Sequence, residues 1–350
     1  MKKKIFIAFI LVFCGLLSLA LREPEKISRS SFSMNTLINM AIYSDDGKIL
    51  DSAYDLLNKL DKELSMYDLS SDISTINLNA GIRSVRAPRE VIDAVKESLR
   101  LYNLTGGVFN PLIGSVTKLW KINQQGDFIP SQESLDAAIK LSDIKNLEIN
   151  ESENEIFLKT QGCMIDLGGI AKGYASDRIV ELLKNNGIKS ALIDLGGNIY
   201  VIGKKLEDDS NWNIGVRDPS APYNSPALVL SVHDTSVITS GGYERFKTIN
   251  GKKYTHFFDV KTGEAITNDL LSATVITPDG SLADGLATAF MASSYEKSLD
   301  ILKDIPADVG VVFIKYNKDE SAGVSQLEII ATENLRAAIS REKYKINYLN

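Results

Sequence analysis

Apolar positions recur along this chain with two periods, and each period says which element to expect. From 49 to 64 the residues Ile49, Ala53, Leu56, Leu57, Leu60 and Leu64 fall on one face of a helix, which Ser65-Met66-Tyr67 closes. A second helix opens with Pro88 in its first turn, carries Val91, Val95, Leu99 and Tyr102 inward, and stops at Gly106-Gly107. Further helices are predicted over 131–141, 282–292 and 295–302. Shorter apolar runs bounded by turn residues predict strands over 37–43, 212–216, 227–233, 237–239, 254–258, 272–277, 309–315 and 327–331, with a hairpin over 147–159. Strands cluster in both halves without strict alternation with helices. This pattern predicts an α+β fold of mixed, largely antiparallel sheets with packed helices, not a doubly wound parallel sheet.

The stretch 164–203 concentrates both periods. Met164, Ile165 and Leu167 predict a short strand, Gly168-Gly169 a turn, Ala175, Ile179, Leu182 and Leu183 a helix ending at Gly187, and 191–195 a second strand. A helix that opens on Gly-Gly presents backbone N–H groups and the positive end of its dipole, so a phosphate is its natural ligand. Lys172 adds a fixed positive charge. An ordinary strand-helix-strand unit would use the same glycines simply to turn the chain, and this stretch alone leaves both readings open.

Composition narrows the class. With 44% hydrophobic and 24% charged residues in 350, the chain has length and apolar content for a large core. Its mean hydropathy of -0.04 excludes a polytopic membrane protein. Lys2, Lys3 and Lys4 precede an apolar run over 5–17, and Ser18-Leu19-Ala20 ends in small residues, so 1–20 reads as an export signal or a membrane anchor. Cys14 within it is a weak lipidation candidate, because bulky Phe13 precedes it; the other cysteine, Cys163, then has no disulfide partner. Cleavage would remove three of 39 basic residues and none of 45 acidic ones, so nucleic acid is not an expected partner. Residues 21–33 read as a polar linker, 34–335 as one domain, and 336–350 as a C-terminal tail.

Few side chains carry candidate chemistry. Asp284 and Thr288 lie four apart on a predicted helix, so their oxygens emerge on one face and suit one hard cation. Capping competes with that reading, since Ser281 and Asp284 have capping-box spacing. His256 and His233 are the only histidines, too few for a histidine-rich metal site, and His256 falls in the predicted strand over 254–258. Ser240 lacks a strand-Ser-helix elbow and is no hydrolase nucleophile. Gly168-Gly169 is not the spaced glycine fingerprint of a nicotinamide dehydrogenase.

The order of several blocks adds a further signal. They are Met34-Asn35-Thr36, Leu64-Ser65-Met66-Tyr67, Gly106-Gly107-Val108-Phe109-Asn110-Pro111, the run from Ile165 to Tyr174, Asp194-Leu195-Gly196-Gly197-Asn198, the run from Thr239 to Arg245, the run from His256 to Gly263, and the run from Ala283 to Ala289. From Met34 to about Ala292 this order resembles the ApbE family, the FAD:protein FMN transferases. Four positions depart from the family's usual residues: Asn35 for Gly, Asn110 for Asp, Gly242 for Asp and Val260 for Pro.

The resemblance implies an ApbE-like fold and a set of roles. Met34, Tyr67, Val108, Phe109, Asn110, Asp166, Lys172 and the backbone near Phe258 match positions that hold FAD. The Gly169 carbonyl, Asp284 and Thr288 match magnesium ligands, and His256 matches a histidine proposed to assist transfer, with Asp259 beside it and Lys172 neutralising phosphate charge. The implied reaction moves FMN from FAD to a threonine hydroxyl of a protein and releases AMP. Implied partners are flavin-bearing subunits of membrane redox complexes, of the sodium-pumping NADH:quinone reductase or a related type. A magnesium-dependent FAD pyrophosphatase and an FAD-binding protein without turnover would use the same residues.

Overall fold

The computed structural model describes residues 24–122, 126–222, 225–267, 270–316 and 327–349. The signal or anchor expected over 1–20, with Cys14, lies outside them. In chain order the elements are β1 (Lys26–Ser33), β2 (Thr36–Tyr43), α1 (Lys48–Leu64), α2 (Asp72–Leu78), β3 (Val85–Arg86), α3 (Arg89–Leu104), α4 (Gly114–Trp120), α5 (Gln132–Leu141), β4 (Leu147–Asn150), β5 (Glu155–Leu158), α6 (Ala171–Asn185), β6 (Ala191–Leu195) and β7 (Asn198–Ile202). There follow β8 (Trp212–Arg217), β9 (Pro226–Val232), β10 (Thr235–Gly241), β11 (Phe246–Ile249), β12 (Lys252–Thr255), β13 (Leu270–Thr277), α7 (Gly280–Met291), α8 (Tyr295–Leu302), β14 (Gly310–Tyr316), β15 (Leu327–Thr332), β16 (Ile339–Glu342) and β17 (Ile346–Leu349).

A nine-stranded sheet in the order β1-β2-β6-β7-β10-β13-β14-β15-β17 forms the centre. All its pairings are antiparallel except β15 with β17. Alternate residues of each strand point to opposite faces, so the sheet serves two cores. Ile238, Val275, Val311 and Phe313 face the helices and pack with Leu57, Val95, Ile179, Leu286 and Phe290. Val237, Ile276, Val312 and Ile314 face the small sheet β16-β9-β8 and pack with Trp212, Ile214, Leu228 and Leu230. Each large apolar side chain so buried contributes about 1.5–3 kcal/mol. The expected α+β class of mainly antiparallel sheets is the observed one.

Four local expectations are corrected. The polar segment ending at Ser33 is not a linker over its whole length, because β1 pairs with β2 through eight registered positions from Lys26↔Tyr43 to Ser33↔Thr36. Only Ser33 of this edge strand is buried, so neither face has to be apolar, which is why its sequence reads as polar. The expected tail over 336–350 contributes β16 and β17. Met164, Ile165 and Leu167 form no strand: Asn77 accepts the Ile165 N–H at 2.7 Å and donates to its carbonyl at 3.0 Å, so a side chain satisfies the buried backbone in place of a ladder. The strand expected over 254–258 ends at Thr255, leaving His256 beyond it.

One end of the large sheet carries two adjacent tight turns. Met34 (φ 48°) and Asn35 (φ 61°) join β1 to β2, and Gly196 (φ 67°) and Gly197 (φ 92°) join β6 to β7. Two-residue hairpin loops with both φ values positive favour Gly or Asn, which accounts for Asn35 where the resembled family has Gly. The turns stand side by side because β2 pairs with β6, and a Cβ on Gly196 would lie 2.1 Å from Thr36 Oγ1.

Candidate active site

The site is built where α6 and α7 meet beside this end of the sheet. Ahead of α6, the Asp166 carboxylate accepts the Gly168 N–H at 2.8 Å and the Thr117 hydroxyl at 2.9 Å, and its burial raises it above the usual carboxylate range. Gly169 has no room for a side chain. A Cβ there would meet Thr288 Cγ2 at 2.8 Å and the Phe109 ring at 3.1 Å. That close approach brings the Thr288 hydroxyl to donate to the Gly169 carbonyl at 3.1 Å.

Asp284 belongs to this junction and not to its own helix terminus. The N-cap of α7 is Asp279, whose side chain accepts from Leu282 N–H, while Ser281 donates to Asp177. The capping reading of Asp284 is thereby overturned. Its carboxylate, 2% exposed, reaches across to α6, accepting the Gly173 N–H at 2.9 Å and lying 3.7 Å from Lys172 Nζ. The α6 N-terminus therefore does not present only bare amides, since carboxylates occupy Gly168 N–H and Gly173 N–H. An incoming phosphate would meet negative charge here and needs a cation beside it.

A carbonyl, a hydroxyl and a carboxylate from Gly169, Thr288 and Asp284 make an all-oxygen donor set, which fits a hard divalent cation that completes its shell with water or phosphate oxygens. Among the described residues no group of three or more His, Cys, Asp or Glu side chains could hold a metal. A zinc-type site is not formed by them.

His256 lies within electrostatic reach of Lys172. Its Nδ1 lies 3.0 Å from the Arg245 carbonyl, which can only accept, so Nδ1 carries the proton and Nε2 is the acceptor nitrogen. Burial, with the positive charges of Arg245 and Lys172, lowers the ring to about 4, and the imidazole is neutral at pH 7. The expected His256–Asp259 pair is not formed. Asp259 Oδ1 instead accepts the N–H groups of Lys261 and Thr262 within its own turn, at 2.7 and 3.0 Å. A backbone carbonyl fixes the histidine tautomer where a carboxylate was anticipated.

The remaining expected residues differ in exposure and in how they are held. Tyr67 is 64% exposed and within electrostatic reach of Asp166 and Arg245, so it stands as an open aromatic wall. Phe109 is buried with its N–H donating to Thr105 Oγ1, Val108 is half-buried beside it, and Phe258 stacks on Trp120 with centroids 6.0 Å apart. Met34 is fixed in its hairpin by Asp61, which accepts its N–H at 2.7 Å. Asn110 is spent inside the protein: its amide donates to the Ser142 carbonyl at 2.9 Å and its oxygen accepts the Leu112 N–H at 2.9 Å. An aspartate could not make the first of these bonds, which gives this departure a structural reason.

Two residues that the sequence did not single out join the site. Glu244 lies in the field of Lys172, Arg245, Arg217 and Asp284, and Arg245 in that of Tyr67, Asp166 and His256. Only their membership of the block from Thr239 to Arg245 signalled them. Positive and negative groups thus lie within one another's fields beside Lys172 and Asp284.

Known proteins share this fold and are similar to this chain over most of its length. The model of the ApbE family matches residues 34–313. The FAD:protein FMN transferase of Treponema pallidum is 32% identical over 348 residues, covering 94% of this chain and 96% of that protein. The protein of the same name from Klebsiella pneumoniae is 30% identical over 292 residues, with 83% and 90% covered. Among solved structures, the flavin transferase ApbE from Vibrio cholerae superposes with a TM-score of 0.79 at 25% identity, over 91% of this chain and all of that one. The apbe protein from Thermotoga maritima gives 0.73 at 26% identity, over 91% and 97%. On the family match across most of its length and on these relatives, the chain belongs to the ApbE family.

Proposed function

We propose that the chain is a magnesium-dependent FAD:protein FMN transferase, which moves the FMN part of FAD onto a threonine hydroxyl of an exported flavoprotein and releases AMP. The observation that carries the reading is the meeting of Gly169 carbonyl, Thr288 hydroxyl and Asp284 carboxylate beside Lys172 and a neutral histidine. Its relatives' shared name, FAD:protein FMN transferase, supplies the reaction class.

In this reading Gly169, Thr288 and Asp284 hold Mg2+, which when bound supplies positive charge to the pyrophosphate oxygens. Lys172 adds a second positive charge on the same side. Tyr67 and Met34 border the flavin, and Asp166 braces the turn that carries Gly169. The Nε2 lone pair of His256 takes the proton of the threonine hydroxyl as its oxygen attacks the FMN-side phosphorus. The bond from that phosphorus to the bridging oxygen breaks, AMP leaves with the bridging oxygen, and a threonyl phosphoester of FMN remains. A ring neutral down to about pH 4 is in its base form throughout the physiological range.

The apolar run over 5–17 behind three lysines supports action outside the cytoplasmic membrane. Acceptors of the proposed class are flavin-bearing subunits of membrane redox complexes such as the sodium-pumping NADH:quinone reductase. The test incubates the purified chain with FAD, Mg2+ and such a subunit, then weighs the acceptor and measures AMP. An FMN adduct on threonine with matching AMP is expected. Free FMN and AMP without adduct would identify a pyrophosphatase, and bound FAD without AMP a binding protein.

A further inference from the structure

Two of the three oxygen donors lie on α7 and the third in the turn just before α6, so something has to hold α6 and α7 in register. They meet through a reciprocal exchange of carboxylates. Asp284 on α7 accepts the Gly173 N–H of the first turn of α6 at 2.9 Å. Asp177 on α6 accepts the Gly280 N–H at 2.8 Å, the Ser281 N–H at 2.8 Å and the Ser281 hydroxyl at 2.6 Å, all at the start of α7. The backbones come this close because glycines face each other: a Cβ on Gly173 would lie 2.2 Å from the Gly280 carbonyl oxygen, and one on Gly280 2.5 Å from Ser176 Oγ.

Asp177 is not needed merely to terminate α7. Asp279 already caps that helix, its side chain accepting from Leu282 and its carbonyl from Ala283 at 3.0 Å, and it is anchored by Arg100 at 2.7 Å. A second, half-buried carboxylate at the same terminus carries a desolvation cost, which shows as a pKa lifted to about 6 by partial burial against the pull of its Ser281 and Gly280 donors. What Asp177 adds is a link between the helices, by three hydrogen bonds to an acceptor of opposite polarity to the α7 N-terminus.

We infer that Asp177 is a positioning residue: by clasping the start of α7 to α6 it keeps the Gly169 carbonyl, the Thr288 hydroxyl and the Asp284 carboxylate within reach of one cation. The metal part of this inference rests on the function proposed above; the clasp itself does not. Asp177→Asn keeps the side-chain shape but offers one oxygen to three donors and sets an NH2 group against one of them.

Three readouts test it in the folded full-length chain. Hydrogen exchange at the Gly173 amide, which Asp177 does not touch, accelerates at least about tenfold, because release of α7 also releases Asp284. Mn2+ affinity, read by EPR of the free ion, falls about 10–100-fold, as for other residues that orient metal ligands. FMN transfer recovers in part at high Mg2+. A merely structural role would lower the melting temperature and leave the first two unchanged in the folded fraction, and that result overturns the inference. Should Asp177→Asn not fold, Ser281→Ala removes the 2.6 Å bond alone, and smaller shifts of the same two readouts are expected; their absence is equally decisive. A wild-type chain that binds no Mn2+ and transfers no FMN would instead remove the proposed reaction, with exchange at Gly173 still deciding whether the clasp couples the helices.

Discussion

Asp284→Asn tests the centre of the site, because it changes charge at constant shape. In the folded chain the carboxylate is 2% exposed, accepts from Gly173 and lies 3.7 Å from Lys172. The amide keeps an acceptor oxygen for Gly173 and loses the attraction to Lys172, which is itself partly solvated, so the stability cost is about 1 kcal/mol. For a domain of about 300 residues, with an unfolding entropy of about 2.1 cal/mol/K per residue, that lowers the melting temperature by about 1–2 °C. The effect on the reaction is larger, because the variant weakens the hold on a cation whose positive charge opposes the negative charge developing on the phosphate oxygens, a contribution of about 2.7–4 kcal/mol, or a factor of about 100–1000 in rate. AMP release and FMN adduct formation should fall together by that factor, measured at a temperature where the variant is folded by circular dichroism. Thr288→Val removes the hydroxyl that donates to the Gly169 carbonyl and should show a smaller loss, partly restored by excess Mg2+. Near-normal transfer by a folded Asp284→Asn chain would refute the argument, and the cation would have to be sought elsewhere.

Other predictions probe the surroundings. His256 takes up its proton near 4 when folded and near 6.5 when unfolded, so between those values the unfolded chain binds more protons and stability rises with pH; His256→Gln should remove that part of the slope, and ring-proton NMR, with only two histidines to resolve, should show one ring neutral down to about pH 4. A slope unchanged by His256→Gln would contradict the half-buried, neutral ring. Asn110→Asp replaces the donor to the Ser142 carbonyl with a carboxylate oxygen and should destabilise by about 1–3 kcal/mol in thermal melts at pH 7; an unchanged melting temperature would show that this bond contributes nothing. Asp61→Ala frees the turn that holds Met34 at φ 48° and should weaken FAD binding in fluorescence titrations more than it lowers the maximal rate, whereas equal loss in both would place Met34 outside FAD recognition.

Some of this was legible in the chain itself. The long amphipathic helices α1, α3 and α6 and the α+β class follow from local periodicity, because a helix or strand that buries one face must repeat its apolar residues with that element's own spacing. The candidate residues Gly169, Lys172, His256, Asp284 and Thr288 were found through the order of motif blocks. Their mutual contacts were not. Spacing could place Asp284 and Thr288 on one face of a helix, yet whether Asp284 caps α7 or reaches α6 depends on a partner 111 residues away, Gly173 N–H. His256 invited pairing with Asp259, three positions on, but its ring is held by the carbonyl of Arg245, a backbone atom that any residue type supplies and no motif can mark. Likewise local pattern does not encode the polar β1 or the irregular run around Ile165, because what decides them is pairing: a neighbouring strand for one, the Asn77 amide for the other. Sequence determined which segments bury a face and which residues are chemically capable, since both are local properties of side chains. Tertiary structure alone decided which capable groups meet, because hydrogen bonds and ion pairs at 3–4 Å depend on how segments far apart in the chain are packed.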